Sequence, residues 1–272
     1  MQELKICVYN SGGEDRIGSL VDDEVYDLNL CYVQQLATEK SLEAYRLANS
    51  LVPTKLEAFL TADSGILDRA RNALKWVIEN NVKMGPAGES ISFSVNNISL
   101  KAPIIPSTKV VCIGGSYMTH IDIAGTAPHD FPVPFYKMSQ VVVGPDDWVV
   151  LPKHHYPEEP VVYDTELTIV IGSRGRSVSA EKAKEMIWGY TILNDVTLRG
   201  ARASRGPIHK VFDSSAPVGP CIVPKDQISD PHNLTLELRI NGKTVQKGNT
   251  SNLLEPIYAL IAEVSKWVTL DA

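Results

Sequence analysis

Between Leu234 and Gln246 the chain alternates so regularly that one local structure dominates. Leu234, Leu236, Leu238 and Ile240 are separated by Thr235, Glu237 and Arg239. A period of two puts the four apolar residues on one face of an extended strand. Asn241-Gly242 follows, a pair that tolerates two left-handed positions, and it predicts a tight hairpin turn. Such a ribbon must lay its apolar face on something else, and the rest of the chain supplies short elements of both kinds.

Lys5–Tyr9, Arg16–Val21 and Glu24–Leu28 are rich in β-formers and are separated by Ser11-Gly12-Gly13 and Asp22-Asp23, which predicts a β-meander. Two helical stretches are expected next. In the second, Ile66, Leu67, Ala70, Ala73, Leu74, Val77 and Ile78 recur at helical spacing until Asn80-Asn81 and Gly85-Pro86 stop it. Ile98 to Pro106 is extended and punctuated by prolines. It marks the junction between a small N-terminal domain, 1–100, and a larger one, 101–272. In the larger part strands are expected at Lys109–Ile113, Val141–Val143, Tyr163–Gly172 and Tyr190–Val196. Ser179 can cap a short helix through Met186, and a last helix runs from Asn252 or Glu255 to Trp267. The expected class is α+β.

Composition narrows the function. The 272 residues are 44% hydrophobic and 21% charged, which excludes disorder as the main state. A net charge of −6 argues against a nucleic-acid surface, which needs a basic stripe. No apolar run approaches the roughly 18–20 residues that span a bilayer, and Met1–Lys5 does not open a signal peptide. Cys7, Cys31, Cys112 and Cys221 form no Cys-x-x-Cys pair, which argues against a zinc knuckle or thioredoxin-like site; with no secretory signal expected, reduced thiols and a cytoplasmic location are expected. Cys7 and Cys112 read as small buried hydrophobes in strands.

The chemistry concentrates in Tyr163–Gly172. On a strand, Asp164 and Glu166 share one face, roughly 6.5–7 Å apart along the chain, and can ligate one hard cation together. The strand runs on into Ile169-Val170-Ile171, as a buried strand does, and buried carboxylates need a partner. Asn194-Asp195, at the end of another strand, offers a third carboxylate. Three such oxygens suit Mg²⁺, or Mn²⁺ and Ca²⁺, better than zinc. His120, just past a strand end, is a usable general base. Lys137, Arg199 and Lys210, in segments otherwise poor in charge, would suit an anionic substrate such as a keto acid. Gly114-Gly115-Ser116 is no serine nucleophile elbow, because Met118 stands where the second glycine belongs.

These residues, in this order, resemble the fumarylacetoacetate hydrolase superfamily, in particular its acylpyruvase and fumarylpyruvate hydrolase group. The resemblance runs from about Lys109 to Asp271. It is carried by Gly115–His120, Pro134-Phe135-Tyr136-Lys137, Tyr163–Leu167 with Ile169–Gly172 behind it, and Gly189–Arg199. It continues through Lys210–Asp213 leading to Val218-Gly219-Pro220, then Ile240-Asn241-Gly242 with Gln246, and Asn249-Thr250-Ser251. It implies a mixed β-sandwich roll with a small N-terminal meander-plus-helix domain, usually a homodimer, with one divalent ion per site. Asp164, Glu166 and Asp195 match the metal carboxylates. Lys210 matches the lysine near the reacting carbonyl, Lys137 the lysine of the Phe-x-Lys segment, and Arg199 the arginine after the metal aspartate. Tyr117, Arg202 and Thr250 fall at substrate-contacting positions.

The chain also departs from the family pattern. Asp164 stands where Glu is usual, Ser116 replaces an Asn, Ile123 replaces the Glu that pairs with the histidine (Asp122 is the nearest carboxylate), and Arg202 replaces a Gln. The chain stops before the family's closing Gly-Asp and Thr-Gly-Thr-Pro segment. The leading expectation is a metal-dependent hydrolase cleaving a carbon–carbon bond in an acylpyruvate or other β-diketo acid. His120 would activate water, Lys210 with Arg202 would stabilise the oxyanion, and Arg199 or Lys137 would hold the substrate carboxylate. Decarboxylation, dehydration or tautomerisation of a keto acid is the rival, and a non-catalytic metal-binding member is the second class.

Overall fold

The β-formers at the N-terminus pair antiparallel as β1 (Ile6–Asn10), β2 (Arg16–Val21) and β3 (Glu24–Asp27). The computed structural model describes residues 2–39, 43–104, 108–118, 133–154, 156–200 and 207–272. Four helices follow β3 rather than two: α1 (Leu28–Thr38), α2 (Ala44–Leu51), α3 (Leu56–Leu60) and α4 (Ile66–Glu79). Leu28, expected in the third strand, instead opens α1, because the Asp27 carboxylate accepts from the Leu30 N–H at 2.8 Å and caps the helix. α2 and α3 have no side-chain cap, so nothing local announces where they begin. α4 ends at Asn80, and Asn81 is left-handed at φ 49°.

β4 (Ser92–Ser94) pairs beyond β3, and β5 (Ser99–Lys101) pairs on the other side of β1, which gives the order β4-β3-β2-β1-β5. The start of the proline-punctuated junction thus closes the N-terminal sheet. Ile6, Val8 and Ile17 from one face of this sheet, with Leu4 just before it, meet Leu28, Phe59, Leu74 and Val77 from the helices in one buried cluster.

Beyond residue 108 the chain forms β6 (Val110–Gly114), β7 (Val133–Lys137), β8 (Val142–Val143), β9 (Val161–Val162) and β10 (Thr165–Ile171). α5 (Ala180–Met186) leads into β11 (Ile187–Asn194), β12 (Thr197–Leu198), β13 (Ala216–Pro217) and β14 (Val223–Pro224). The predicted hairpin is β15 (Thr235–Ile240) and β16 (Lys243–Asn249), and α6 (Ile257–Trp267) follows. β10-β11-β14 is a three-stranded antiparallel sheet, whereas β8 and β13 pair parallel. The fold is therefore a mixed α and β arrangement.

The local chemistry behaves as the residues dictate. Asn241 (φ 50°) and Gly242 (φ 76°) both take the left-handed conformation the tight turn requires. The Ser179 hydroxyl caps α5 by accepting from the Lys182 N–H. Ala183, Met186, Ile187, Tyr190, Ile257, Ile261 and Val264 then join α5, α6 and β11 in a second core. Along the hairpin the apolar face is buried at Leu236 and opens to solvent at Ile240, which is 38% exposed. β11 starts at Ile187, three residues ahead of the Tyr190 expected from the sequence. Among the described residues no helix is long and apolar enough to cross a membrane.

Candidate active site

Register builds the acidic face. Thr165 pairs with Asn194 and Glu166 with Leu193, and the Asp195 N–H donates to the Asp164 carbonyl at 2.8 Å. Asp164 therefore lies opposite Asp195, and directly opposed residues of an antiparallel pair point to the same side. Glu166, two residues along from Asp164, shares that side. The hairpin supports this corner. Gln246 on β16 accepts from the Thr165 N–H at 2.7 Å through Oε1 and donates to Asp164 Oδ1 at 3.1 Å through Nε2. The resemblance includes Gln246 without a role; the packing of one ribbon on another assigns it this one.

Two lysines attend Asp195. Lys137 Nζ lies 3.0 Å from Asp195 Oδ1, and Lys210 forms a short ion pair with Oδ2. Lys210 also donates to Thr197 Oγ1 at 2.8 Å and sits 4.8 Å from the centre of the Phe135 ring. Lys137, expected at the substrate, is turned into the protein. Its side chain is fully buried, and its ammonium donates to the carbonyls of Val196 (3.2 Å), Lys210 (2.7 Å) and Ser215 (3.0 Å). An ammonium has three protons to give, and the three carbonyls account for all of them, so its contact with Asp195 Oδ1 is an ion pair. Burial pulls the Lys137 pKa down, against the pull of Asp195. Lys137 is placed to fix Asp195 and the 210–215 loop.

Thr250 is likewise engaged with the chain itself. It is buried, and its hydroxyl donates to the Pro231 carbonyl at 2.8 Å and accepts from the Leu234 N–H at 2.8 Å. Its single proton is committed to the chain itself, so it braces the start of the hairpin. Arg199 is exposed at the end of β12, anchored through its N–H to the Pro160 carbonyl at 2.9 Å. Tyr117 is half-buried and bridges to Leu253; burial, with Glu166 nearby, pushes its phenol up to about 12. Cys112 on β6 is half-buried beside the site, not sealed in a core. Burial pushes its thiol to about 12, and the charges of Asp195 and Glu166 add to the effect. His120, Asp122, Ile123 and Arg202 lie outside the described residues.

The electrostatics of the acidic face test whether a hard cation fits. Burial raises Glu166 from 4.5 to about 7, the charges of Asp195 and Asp164 push the same way, and Lys210 opposes them. A like-charged carboxylate set, Asp195 buried and Asp164 and Glu166 half-buried, is a donor chemistry a dication would satisfy. The side chains as they stand are not drawn together: among the described residues no three His, Cys, Asp or Glu form a group that could hold an ion. The residues fit a dication by face, by charge and by donor type, with Asp195 held by the two lysines in this conformation.

Comparison with known proteins bears on the same segment. Residues 109–272 match the family model described as fumarylacetoacetate (FAA) hydrolase C-terminal. The chain is 34% identical over 224 residues to the mitochondrial oxaloacetate tautomerase fahd2 of Xenopus laevis, covering 81% of this chain and 66% of that protein. It thus spans just under two thirds of that relative's length. It is 32% identical over 262 residues to the oxaloacetate tautomerase YisK of Bacillus subtilis, covering 94% of this chain and 81% of that one. Among solved structures, maleylpyruvate hydrolase from Sphingobium sp. SYK-6, in complex with manganese(II) and pyruvate, superposes with a TM-score of 0.70 at 25% identity. That likeness covers 98% of this chain and 84% of the other. With the match running through the strand of Asp164 and Glu166 and on to the last helix, this chain belongs to the fumarylacetoacetate hydrolase family.

Proposed function

We propose that this protein is a divalent-metal-dependent enzyme of keto–enol chemistry, a tautomerase of oxaloacetate or a closely related short keto diacid. Asp164, Glu166 and Asp195 would hold the ion, Mn²⁺ or Mg²⁺. When bound, it would withdraw electron density from the substrate's 2-oxo oxygen and so acidify the neighbouring methylene. The observation that carries the reading is geometric: register sets Asp164 opposite Asp195, with Glu166 on the same face, and burial among these like charges raises the Glu166 carboxyl. The oxaloacetate tautomerases among the relatives supply the reaction type.

The chain's own residues then have separable tasks. Lys137 and Lys210 fix the Asp195 carboxylate from both of its oxygens. Gln246 orients Asp164. Lys210, held between Asp195, Thr197 and the Phe135 ring, would offer an ammonium proton to the enolate oxygen, and exposed Arg199 would receive a substrate carboxylate. His120, and Arg202 beside the substrate, are proposed from the resemblance. Tautomerisation moves one proton between carbon and oxygen and consumes no water, so it does not require the Glu that position 123 lacks.

A second reading is carbon–carbon hydrolysis of an acylpyruvate, supported by the likeness to maleylpyruvate hydrolase. A third is a non-catalytic metal-binding member. The family's mixed β-sandwich roll and a homodimeric assembly are proposed with the function. The decisive assay follows decay of enol-oxaloacetate with chelated protein and with added Mn²⁺ or Mg²⁺. Ion-dependent acceleration is expected. Pyruvate release from acetylpyruvate without that acceleration would move the assignment to hydrolysis. Inactivity on every keto acid tried, with the ion bound, would leave the non-catalytic reading.

A further inference from the structure

The N-terminal sheet and the larger part of the molecule meet along a short piece of ribbon. The Ile6 N–H donates to the Ile222 carbonyl at 2.9 Å and the Ile222 N–H returns to the Ile6 carbonyl at 2.7 Å. This exchange makes Ile6 and Ile222 a hydrogen-bonded antiparallel pair. Carried one residue further, this register sets Cys7 opposite Cys221. Such a pair is the non-hydrogen-bonded kind, where Cα atoms approach to about 4.5 Å, inside the range a disulfide spans. Alternation settles the facing. Ile6, Val8 and Ile222 pack in one cluster, whereas Cys7 and Tyr9 pack in another that Cys221 joins, with Val25 and Leu100. The two thiols therefore share one side of the ribbon, and both are free.

We propose that Cys7 and Cys221 form an oxidisable pair that closes to a disulfide under peroxide, covalently joining β1 to the segment that enters β14. This rests on backbone register and is independent of the proposed activity. Cys221 is the half-buried member and Cys7 the fully buried one, so reaction begins at Cys221. The charge of Lys5 favours the Cys221 thiolate, although burial raises both thiols. The Cys221 sulfur attacks hydrogen peroxide: an S–O bond forms, the O–O bond breaks, and one water leaves, giving a sulfenic acid. The Cys7 sulfur then displaces that oxygen: an S–S bond forms, the S–O bond breaks, and a second water departs with the Cys7 proton. Two thiols are oxidised and one peroxide is reduced to two waters. Because β14 pairs with β11, which leads to Asp195, the bond would clamp the N-terminal sheet to the strand behind the acidic face.

The test treats the full chain with hydrogen peroxide, then alkylates the remaining thiols and maps peptides without reduction. The expected result is loss of two hydrogens from the intact mass and a linked peptide holding Cys7 and Cys221. Dithiothreitol should reverse it, and the thermal midpoint of the oxidised chain should rise by about 5 °C or more, since the closed loop is long. In Cys221→Ser the link and the rise should both vanish; Cys7→Ser provides the same control from the buried side. If saturating peroxide leaves Cys7 alkylatable, or drives Cys221 to sulfinic acid with no linked peptide, the proposal is overturned.

Discussion

Glu166 carries the clearest residue-scale consequence. Its carboxyl titrates near 7 in the folded chain against 4.5 as an unperturbed side chain. The folded state therefore holds the proton more tightly than the unfolded one between those values. Stability falls as pH rises through that window, by about 3 kcal/mol from this group. Urea titrations of chelated protein should show this decline, and Glu166→Gln should flatten it. The same variant should lose stabilisation by Mn²⁺ or Mg²⁺; undiminished stabilisation would remove Glu166 from the ligand set. Lys137 makes the opposite kind of prediction. Lys137→Met removes a buried ammonium and leaves carbonyls of Val196, Lys210 and Ser215 without their donor, so unfolding free energy should drop by about 3 kcal/mol or more. A substrate-anchoring lysine would instead change KM with little change in stability. The resemblance marked positions 137 and 250 as functional, but their side-chain partners come from residues far along the chain and could not be read from either segment.

At the scale of elements, short-range signals were legible where the chain carries its own cap or turn. Ser179 opens α5, Asn80 and Asn81 close α4, and Asn241-Gly242 turns the hairpin, each through chemistry contained in a few residues. α1, α2 and α3 were not legible as three helices. α1 is capped by Asp27, a residue that also ends a strand, and the other two have no side-chain cap. α6 shows a cap no local pattern could reveal: after Pro256, its first N–H, from Ile257, is accepted by His232 Nε2 at 3.0 Å. His232→Ala should destabilise the chain by about 1 kcal/mol, read as a lower denaturation midpoint. Gln246 couples two elements through one amide. Gln246→Leu should weaken ion-induced thermal stabilisation several-fold while the hairpin stays folded, because its turn residues and backbone pairing are untouched. Unchanged ion binding would show that Asp164 needs no such support.

For the whole molecule, the seam between the N-terminal sheet with its helices and the rest rests on a few specific side chains. The Arg71 guanidinium on α4, almost fully buried, pairs with Asp226 at 2.6 Å. Gln227 mimics a strand neighbour, accepting from the Leu4 N–H and donating to the Leu4 carbonyl, both at 2.7 Å. Asp226→Ala should therefore destabilise by about 2–4 kcal/mol, since it strips a buried cation of its nearest carboxylate. Chemical denaturation monitored at tryptophans would show it; a change below about 0.5 kcal/mol would mean that Asp68, 3.5 Å from Arg71, suffices alone.

The sequence by itself determined the strand periods, the turns that need left-handed residues, and the presence of Asp164 and Glu166 on one face, because all three depend on geometry within a few residues. Tertiary structure decided the partners. It set Asp195 opposite Asp164, turned Lys137 inward onto carbonyls, lent Gln246 to the acidic corner and brought Cys7 across to Cys221. Those contacts join segments as far apart as the first strand and the approach to β14, and their energies depend on burial and register, which no single stretch of sequence contains.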